Sequence, residues 1–139
     1  MAAVTVTTAL LNFLKEKLVD YQIENFYQEL RDDAKEKSVT IYSLSNTANE
    51  QQFGGQICYK MDYQIQIVNG FSVSETEALA DYIYKKIVMS NQAYSQDGYH
   101  FYITPLQGRT PKYLGTLDSG YHKYGIDVLV IYNNNRKDD

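Results

Sequence analysis

The residue types that most often carry out chemistry are few in this sequence, and their spacing does not assemble a catalytic site. His100 and His122 lie in or beside predicted strands, with no cysteine, histidine or glutamate at the spacing of a metal site. Metal binding needs several convergent ligands. The segment "LDSGYH" brings Asp118, Ser119 and His122 close in sequence, but a hydrolytic triad depends on convergence in space. We interpret both histidines as structural residues and the Asp-Ser-Gly segment as a turn.

The single cysteine and the strand carboxylates do not predict a reaction centre either. Cys58 lies between Ile57 and Tyr59 in an alternating segment, whereas a nucleophilic cysteine needs a helix N-terminus or a cationic neighbour. Asp62 and Asp127 fall on predicted strands, and the sequence places no second carboxylate opposite either one, as a paired-acid site would require. Phosphate-loop, dinucleotide-binding and zinc-protease motifs are missing. The sequence therefore predicts a protein that is not an enzyme, with no catalytic residues, no metal and no cofactor.

Length and charge narrow the class of protein further. The 139 residues suit one domain, 44% of them are hydrophobic, and the net charge is −4. No cluster of lysine and arginine forms the basic stripe that a dedicated nucleic-acid binder needs. A run of apolar residues long enough to span a membrane is missing, and the N-terminus makes a poor signal peptide. We expect a single domain over residues 1–139 that neither enters membranes nor grips DNA.

Hydrophobic periodicity predicts six main elements. The expected order is helix, strand, strand, helix, strand, strand, at residues 7–19, 39–44, 57–68, 75–89, 98–104 and 122–133. Residues 20–38 are open to two interpretations, a short helix or an extended stretch. Residues 45–56 are predicted to be a flexible loop, and residues 134–139 a frayed tail. This order predicts an α+β fold, with two helices packed on one face of a mostly antiparallel sheet of about four strands.

Two groups of residues stand out as candidate contact surfaces. The segment "YKMDYQIQIVNG" at 59–70 alternates strictly, and its polar face carries Lys60, Asp62, Gln64 and Gln66. A freely solvated strand usually carries more charge than this. The loop at 105–120 holds both prolines and the side chains Arg109, Lys112, Tyr113 and Leu114. Such a loop either docks onto another protein or packs on its own domain.

Two longer stretches resemble the minor capsid and tail-completion proteins of long-tailed bacteriophages. They are "YQIQIVNGFSVSETEALADYIYKKI" at 63–87 and "TPKYLGTLDSGYHKYGIDVLVIYN" at 110–133. The likeness is one of composition and carries no catalytic signature. Its architecture is similar to that of lambda-type tail terminators, small α+β subunits that form a hexameric ring at the end of the tail tube.

The resemblance implies a structural virion protein that is assembled in the host cytoplasm. Its expected partners are other copies of itself in a ring of six, the tail-tube protein and a head-connector or head-completion protein. DNA would pass through the ring without being specifically bound, which the acidic net charge favours. The strand face of Lys60, Asp62, Gln64 and Gln66 would then form the subunit interface, and the 105–120 loop would dock onto a neighbour. Two alternatives remain open: a small hydrolase or nuclease, and a monomeric ligand-binding module.

Overall fold

The computed structural model describes residues 5–23, 25–32, 35–44, 49–53, 56–90 and 92–134. Over these residues the chain forms two α-helices and eight β-strands. The helices are α1 (Val6–Lys17) and α2 (Val73–Ile83), and α2 continues into a π-helical turn at Tyr84–Val88. The strands are β1 (Asn25–Gln28), β2 (Lys37–Ser43), β3 (Asn49–Phe53), β4 (Gln56–Asn69), β5 (Tyr94–Gln96), β6 (Tyr99–Pro105), β7 (Lys112–Thr116) and β8 (His122–Asn134). Neither helix is long and apolar enough to cross a membrane.

Two long antiparallel strands, β4 and β8, form the centre of the sheet. The strand order is β1-β2-β4-β8-β6-β5, with β3 paired to the first part of β4 and β7 paired to the first part of β8. Because β4 has 14 residues and β8 has 13, each is long enough to pair with two shorter strands along its outer side. All pairings are antiparallel except the one between β1 and β2, which is parallel.

The predicted fold class is wrong. In place of two helices on one face of a four-stranded sheet, the structure has a curled, mostly antiparallel sheet that the described residues build from eight strands. The four strands that were predicted correspond to β2, β4, β6 and β8. The other four are short, with three to five residues each. Strong right-handed twist accumulates across many strands, so a sheet of this size curls rather than staying flat.

The structure settles or corrects three predictions about loops and the tail, and parts of two of them lie outside the described residues. Within the undecided 20–38 stretch, Asn25–Gln28 is a strand, so the extended interpretation holds there. The 45–56 segment is not a loop throughout, because Asn49–Phe53 pairs with β4. The remainder of that segment before β4, residues 45–48 and 54–55, lies outside the described residues. Asn134 still belongs to β8, and the rest of the predicted tail, residues 135–139, lies outside the described residues.

The second helix begins at a different cap from the one its sequence suggests. A capping box at Ser74 and Glu77 would start the helix at residue 75. Instead, the hydroxyl of Ser72 accepts a hydrogen bond from the backbone N–H of Glu75, and α2 starts at Val73. Both serines satisfy the residue preference of an N-cap, so local sequence does not separate them.

Alternation along β4, paired with an apolar stretch of β8, produces the core. On β4 the side chains of Tyr63, Ile65 and Ile67 are fully buried, and their partners on β8 include Ile126 and Val128. Residues from α1 and α2 pack against this face and complete one continuous hydrophobic cluster. Tyr63 needs a polar partner at its tip, and its hydroxyl lies 2.7 Å from that of Thr7 on α1. Burial raises the pKa of Tyr63 to about 12.

Helix α1 connects the two outermost strands of the sheet. On one side, the hydroxyl of Thr8 donates to the side-chain carbonyl of Gln28 on β1. On the other side, the ring of Phe13 lies 4.4 Å from that of Tyr94 on β5 and 5.3 Å from that of Phe101 on β6. Because β1 and β5 end the strand order, α1 spans the open side of the curled sheet.

Replacing Phe13 with alanine should therefore destabilise the whole domain. Phe13 is only 3% exposed, and truncating a buried phenylalanine costs about 3–5 kcal/mol. Urea denaturation followed by circular dichroism would measure the loss. Glu16→Ala, on the exposed side of the same helix, is the control. A change for Phe13→Ala no larger than that of the control would contradict the role of α1 in closing the sheet.

Candidate functional site

The polar face of β4 lies on the side of the sheet opposite the core. We call this side the outer face. The pairing register places Gln64 beside Asp127 and Gln66 beside Gly125. Further down the strand, Asp62 pairs with Leu129 and Lys60 with Ile131. The alternation that buries Tyr63, Ile65 and Ile67 thus brings all four predicted interface residues to one surface.

A chain of hydrogen bonds crosses the outer face around Gln64 and Gln66. We call this the upper part of the outer face. The guanidinium of Arg31 donates to the side-chain oxygen of Gln66. The amide nitrogen of Gln66 donates to the side-chain oxygen of Gln64 at 2.7 Å, and that of Gln64 donates to Oδ1 of Asp127 at 2.8 Å. These four side chains link the segment before β2 to the central strand β8. We call them the amide chain.

The two ends of the amide chain determine its direction. Arginine can only donate, and an ionised carboxylate can only accept. Gln66 must therefore present its oxygen to Arg31, and Gln64 must present its nitrogen to Asp127. Both amides then point the same way, with oxygen toward Arg31 and nitrogen toward Asp127. Glutamine fits both positions because it accepts on one side and donates on the other, which an ionised glutamate or a lysine cannot do.

Asp127 receives two cations in addition to the amide chain. The Nη1 atom of Arg109 lies 2.9 Å and the Nζ atom of Lys112 lies 3.2 Å from the same carboxylate oxygen, Oδ2. The Asp127 side chain is 3% exposed, whereas those of Arg109 and Lys112 are 49% and 51% exposed. Burial raises the pKa of the Asp127 carboxyl, but the hydrogen bonds from Gln64, Arg109 and Lys112 lower it by more, so it lies below its ordinary value.

Residues 105–117, which we call the strap, hold the two cations in place. The strap leaves β6 through a single turn at Leu106–Gly108, where Gln107 adopts a left-handed conformation with φ of 52°. The backbone N–H of Arg109 closes this turn on the carbonyl of Leu106 at 3.0 Å. The strap then forms β7 along β8. Its course brings Arg109 and Lys112 over the carboxylate.

A close approach fixes the strap against β8 at Gly125. A methyl group at this glycine would lie 2.6 Å from Cδ1 of Leu114 and 3.3 Å from the side-chain carbon of Gln64. Leu114 therefore occupies the space that a larger residue at 125 would need. The neighbouring Tyr113 is 47% exposed, packs edge-on against Tyr124 at 5.5 Å, and places its hydroxyl 2.9 Å from Nδ1 of His122.

The lower part of the outer face, which lies around Lys60 and Asp62 on β4, is more apolar. Leu129 and Ile131 on β8 are partly buried, and Tyr102 on β6, paired with Ile131, is 48% exposed. Lys60 and Asp62 flank this strip on β4. A cleft of about 280 Å³ opens beside it, lined mainly by apolar atoms from residues that include Cys58, His100, Tyr102 and Ile131. This volume falls just below the range of roughly 300–1,000 Å³ of small-molecule sites.

The structure brings together some of the predicted site residues and separates others. Gln64, Arg109 and Lys112 all contact Asp127, and Gln66 is linked to it through Gln64, although the sequence predicts these residues as parts of two different surfaces. Lys60 and Asp62 lie lower on the same face. Tyr113 and Leu114 lie on the strap but outside the hydrogen-bonded group.

Asp127 and Arg31 were not among the predicted site residues. The sequence did carry a signal for Asp127: in "GIDVLVIY" it is the single charged residue in an otherwise apolar run, and a buried carboxylate requires partners. No comparable signal marks Arg31. Asp118 and Ser119 are exposed in a turn, and within the described residues no three histidine, cysteine, aspartate or glutamate side chains gather as a metal site.

Comparison with known proteins gives no family for this chain. No protein-family model matches it, and no curated protein does.

Asp127→Asn should destabilise the protein in a pH-dependent way. Since the folded-state pKa of Asp127 is depressed, its contribution is present above the unfolded-state pKa and is lost as the pH falls through the folded-state pKa. At neutral pH the variant should lose about 1–3 kcal/mol of unfolding free energy, because Arg109 and Lys112 lose a charged acceptor. The difference should shrink on acidification below about pH 4.

Urea denaturation at neutral and acidic pH measures this difference. Asp118→Asn, in the exposed turn, is the matched control and should leave the unfolding free energy nearly unchanged. A deficit for Asp127→Asn that stays constant across the pH range would rule out the charged pairing as its source.

Gly125→Ala tests whether the strap is held by close packing. The added methyl group meets Leu114, so the variant should lose about 1–3 kcal/mol of unfolding free energy, as overpacked positions do. Leu114→Ala should restore part of that loss when combined with Gly125→Ala, because it vacates the contested space. Chemical denaturation of both single variants and the double variant completes a mutant cycle. Purely additive effects would show that the strap does not press on Gly125.

Proposed function

We propose that this protein is a structural subunit of the head–tail joint of a long-tailed bacteriophage, and that it is not an enzyme. In this proposal six copies form a ring that terminates the tail tube and joins it to the head connector. The likeness of residues 63–87 and 110–133 to tail-completion proteins supports it. The main structural support is a partly apolar surface on the outer face that the described residues leave open.

Among the described residues, the outer face divides into a part that other side chains cover and a part that is left accessible. The upper part is occupied by the amide chain and the strap. The side chains of Gln64 and Gln66 therefore form hydrogen bonds within the subunit. The lower part presents Tyr102 beside Ile131. Aromatic residues with a polar tip are enriched at protein–protein contacts. We therefore place the subunit interface on the lower outer face, where Lys60 and Asp62 form its border.

A second exposed group of aromatic residues lies at the end of the sheet where β4 finishes. Phe71 is 66% exposed and its ring lies 4.7 Å from that of Tyr121. Val73, at the start of α2, is 42% exposed nearby in sequence. This end of the subunit suits a contact with a different protein, because it lies at the ends of the strands rather than on a face of the sheet. We assign it to the tail-tube or head-connector partner.

The ring interface can be tested through Tyr102. Tyr102→Lys should weaken self-assembly about tenfold or more, because a central interface aromatic typically contributes about 2 kcal/mol or more. Sedimentation velocity at several protein concentrations, with and without tail-tube protein, measures the assembled fraction. Val19→Lys is the control, since Val19 is 70% exposed on the turn after α1, away from the outer face.

Three outcomes separate the possibilities. Loss of assembly in Tyr102→Lys alone supports the lower outer face as the interface. Equal assembly of both variants, where the parent forms rings, removes this face from the interface. A parent protein that stays monomeric even with tail-tube protein would refute the ring itself.

The cleft beside Tyr102 favours a second candidate, a monomeric module that binds a small apolar ligand. Its volume of about 280 Å³ suits one partner side chain at least as well as a free ligand. The two functions differ in the same experiment: a ligand-binding module would remain monomeric and would gain thermal stability from the ligand, by mass action.

A further inference from the structure

The charge balance around Asp127 is uneven. Arg109 and Lys112 both direct their donors at one oxygen, Oδ2, while Oδ1 is taken by Gln64. Two positive charges therefore share a single negative one. The carboxylate is buried, but each cation is about half exposed. The excess positive charge consequently faces outward, on a chain whose net charge is −4.

Both cations keep donors that the described part of the chain leaves unused. The ammonium of Lys112 has three donors and the guanidinium of Arg109 has five. Among the described residues, Lys112 contacts one acceptor, Oδ2 of Asp127. The second terminal nitrogen of Arg109 reaches only the side-chain oxygen of Gln107, at a long 3.4 Å. An incoming anion could bind both side chains without displacing Asp127.

The strap holds this pair in a defined position. Arg109 follows the turn at Leu106–Gly108, Lys112 begins β7, and the buried carboxylate fixes both head groups. Side chains that are already ordered lose less conformational entropy on binding. Exposed Thr110 follows Arg109 in the chain and offers a hydroxyl group for a further hydrogen bond.

We propose that Arg109 and Lys112 form a docking site for a carboxylate side chain on an acidic segment of a partner protein. The site rests on the proposed function, since the partner would be a neighbouring subunit or an adjoining head–tail protein. A protein carboxylate fits better than nucleic acid because two cations are too few to follow a phosphate backbone.

Binding of a labelled oligoglutamate peptide to the isolated subunit, followed by fluorescence anisotropy at low salt, tests the site directly. Lys112→Gln removes one cation and leaves Asp127 paired with Arg109 and Gln64. It should weaken peptide binding about two- to fivefold, the range of an exposed ion pair.

Matched controls remove the general effect of charge. Lys85 is 68% exposed and pairs with Asp81 at 3.0 Å on α2, so Lys85→Gln changes the net charge equally without touching the site. An oligoglutamine peptide, a short DNA duplex and inorganic phosphate complete the set of probes. Oligoglutamate should bind more tightly than each of these.

Several outcomes of the peptide assay would contradict the proposed docking site. Equal affinity of Lys112→Gln and Lys85→Gln for oligoglutamate would overturn the site, and so would equal binding of oligoglutamate and oligoglutamine. Tighter binding of the DNA duplex, lost in Lys112→Gln, would assign the pair to nucleic acid instead. The peptide assay needs no ring, so its failure is separate from a failure of the parent protein to assemble.

Discussion

The antiparallel ladder between β4 and β8 is the constraint on which the rest of the structure depends. Ten residue pairs, from Tyr59–Tyr132 to Val68–Lys123, align two alternating strands without a shift. The register divides the molecule into an apolar side and a polar side, and a slip by one residue would exchange them. The helices cover one side because it is apolar. The strap and Arg31 cover part of the other because it holds a buried carboxylate.

The sequence allowed the two strands of the ladder to be predicted, but not their pairing with each other or the full sheet. Long alternating segments such as 57–68 carry enough periodicity to identify a strand and its buried face. Strands of three to five residues, such as Tyr94–Gln96 and Lys112–Thr116, carry too few. They become strands because a long neighbour offers unpaired backbone groups, a tertiary effect that outweighs local propensity. The error in fold class follows, since those short strands widen and curl the sheet.

The candidate site was partly visible in the sequence for a related reason. Low charge on the face of Gln64 and Gln66 indicated that these residues meet something other than water. The partner proved to lie within the chain. Asp127 is 63 positions from Gln64 and Arg31 is 35 positions from Gln66, and such pairings follow from the register of whole strands rather than from any local motif. Of the two interpretations of the 105–120 loop, packing on its own domain describes the contacts of Leu114, Arg109 and Lys112 with β8, and docking onto another protein stays a prediction.

The amide chain gives these distant segments a common support. Arg31, before β2, is joined through three consecutive hydrogen bonds to the buried carboxylate of Asp127, which also binds Arg109 and Lys112 on the strap. Because each amide is oriented by its neighbours, reversing one would leave a donor facing a donor at the next position, which costs about 1–3 kcal/mol when buried. The upper outer face is therefore stabilised as a unit. Its positive groups are held by the fold, while the described residues leave Tyr102, in the apolar strip below them, about half exposed. One strand face therefore combines a fixed polar part with a partly exposed apolar part.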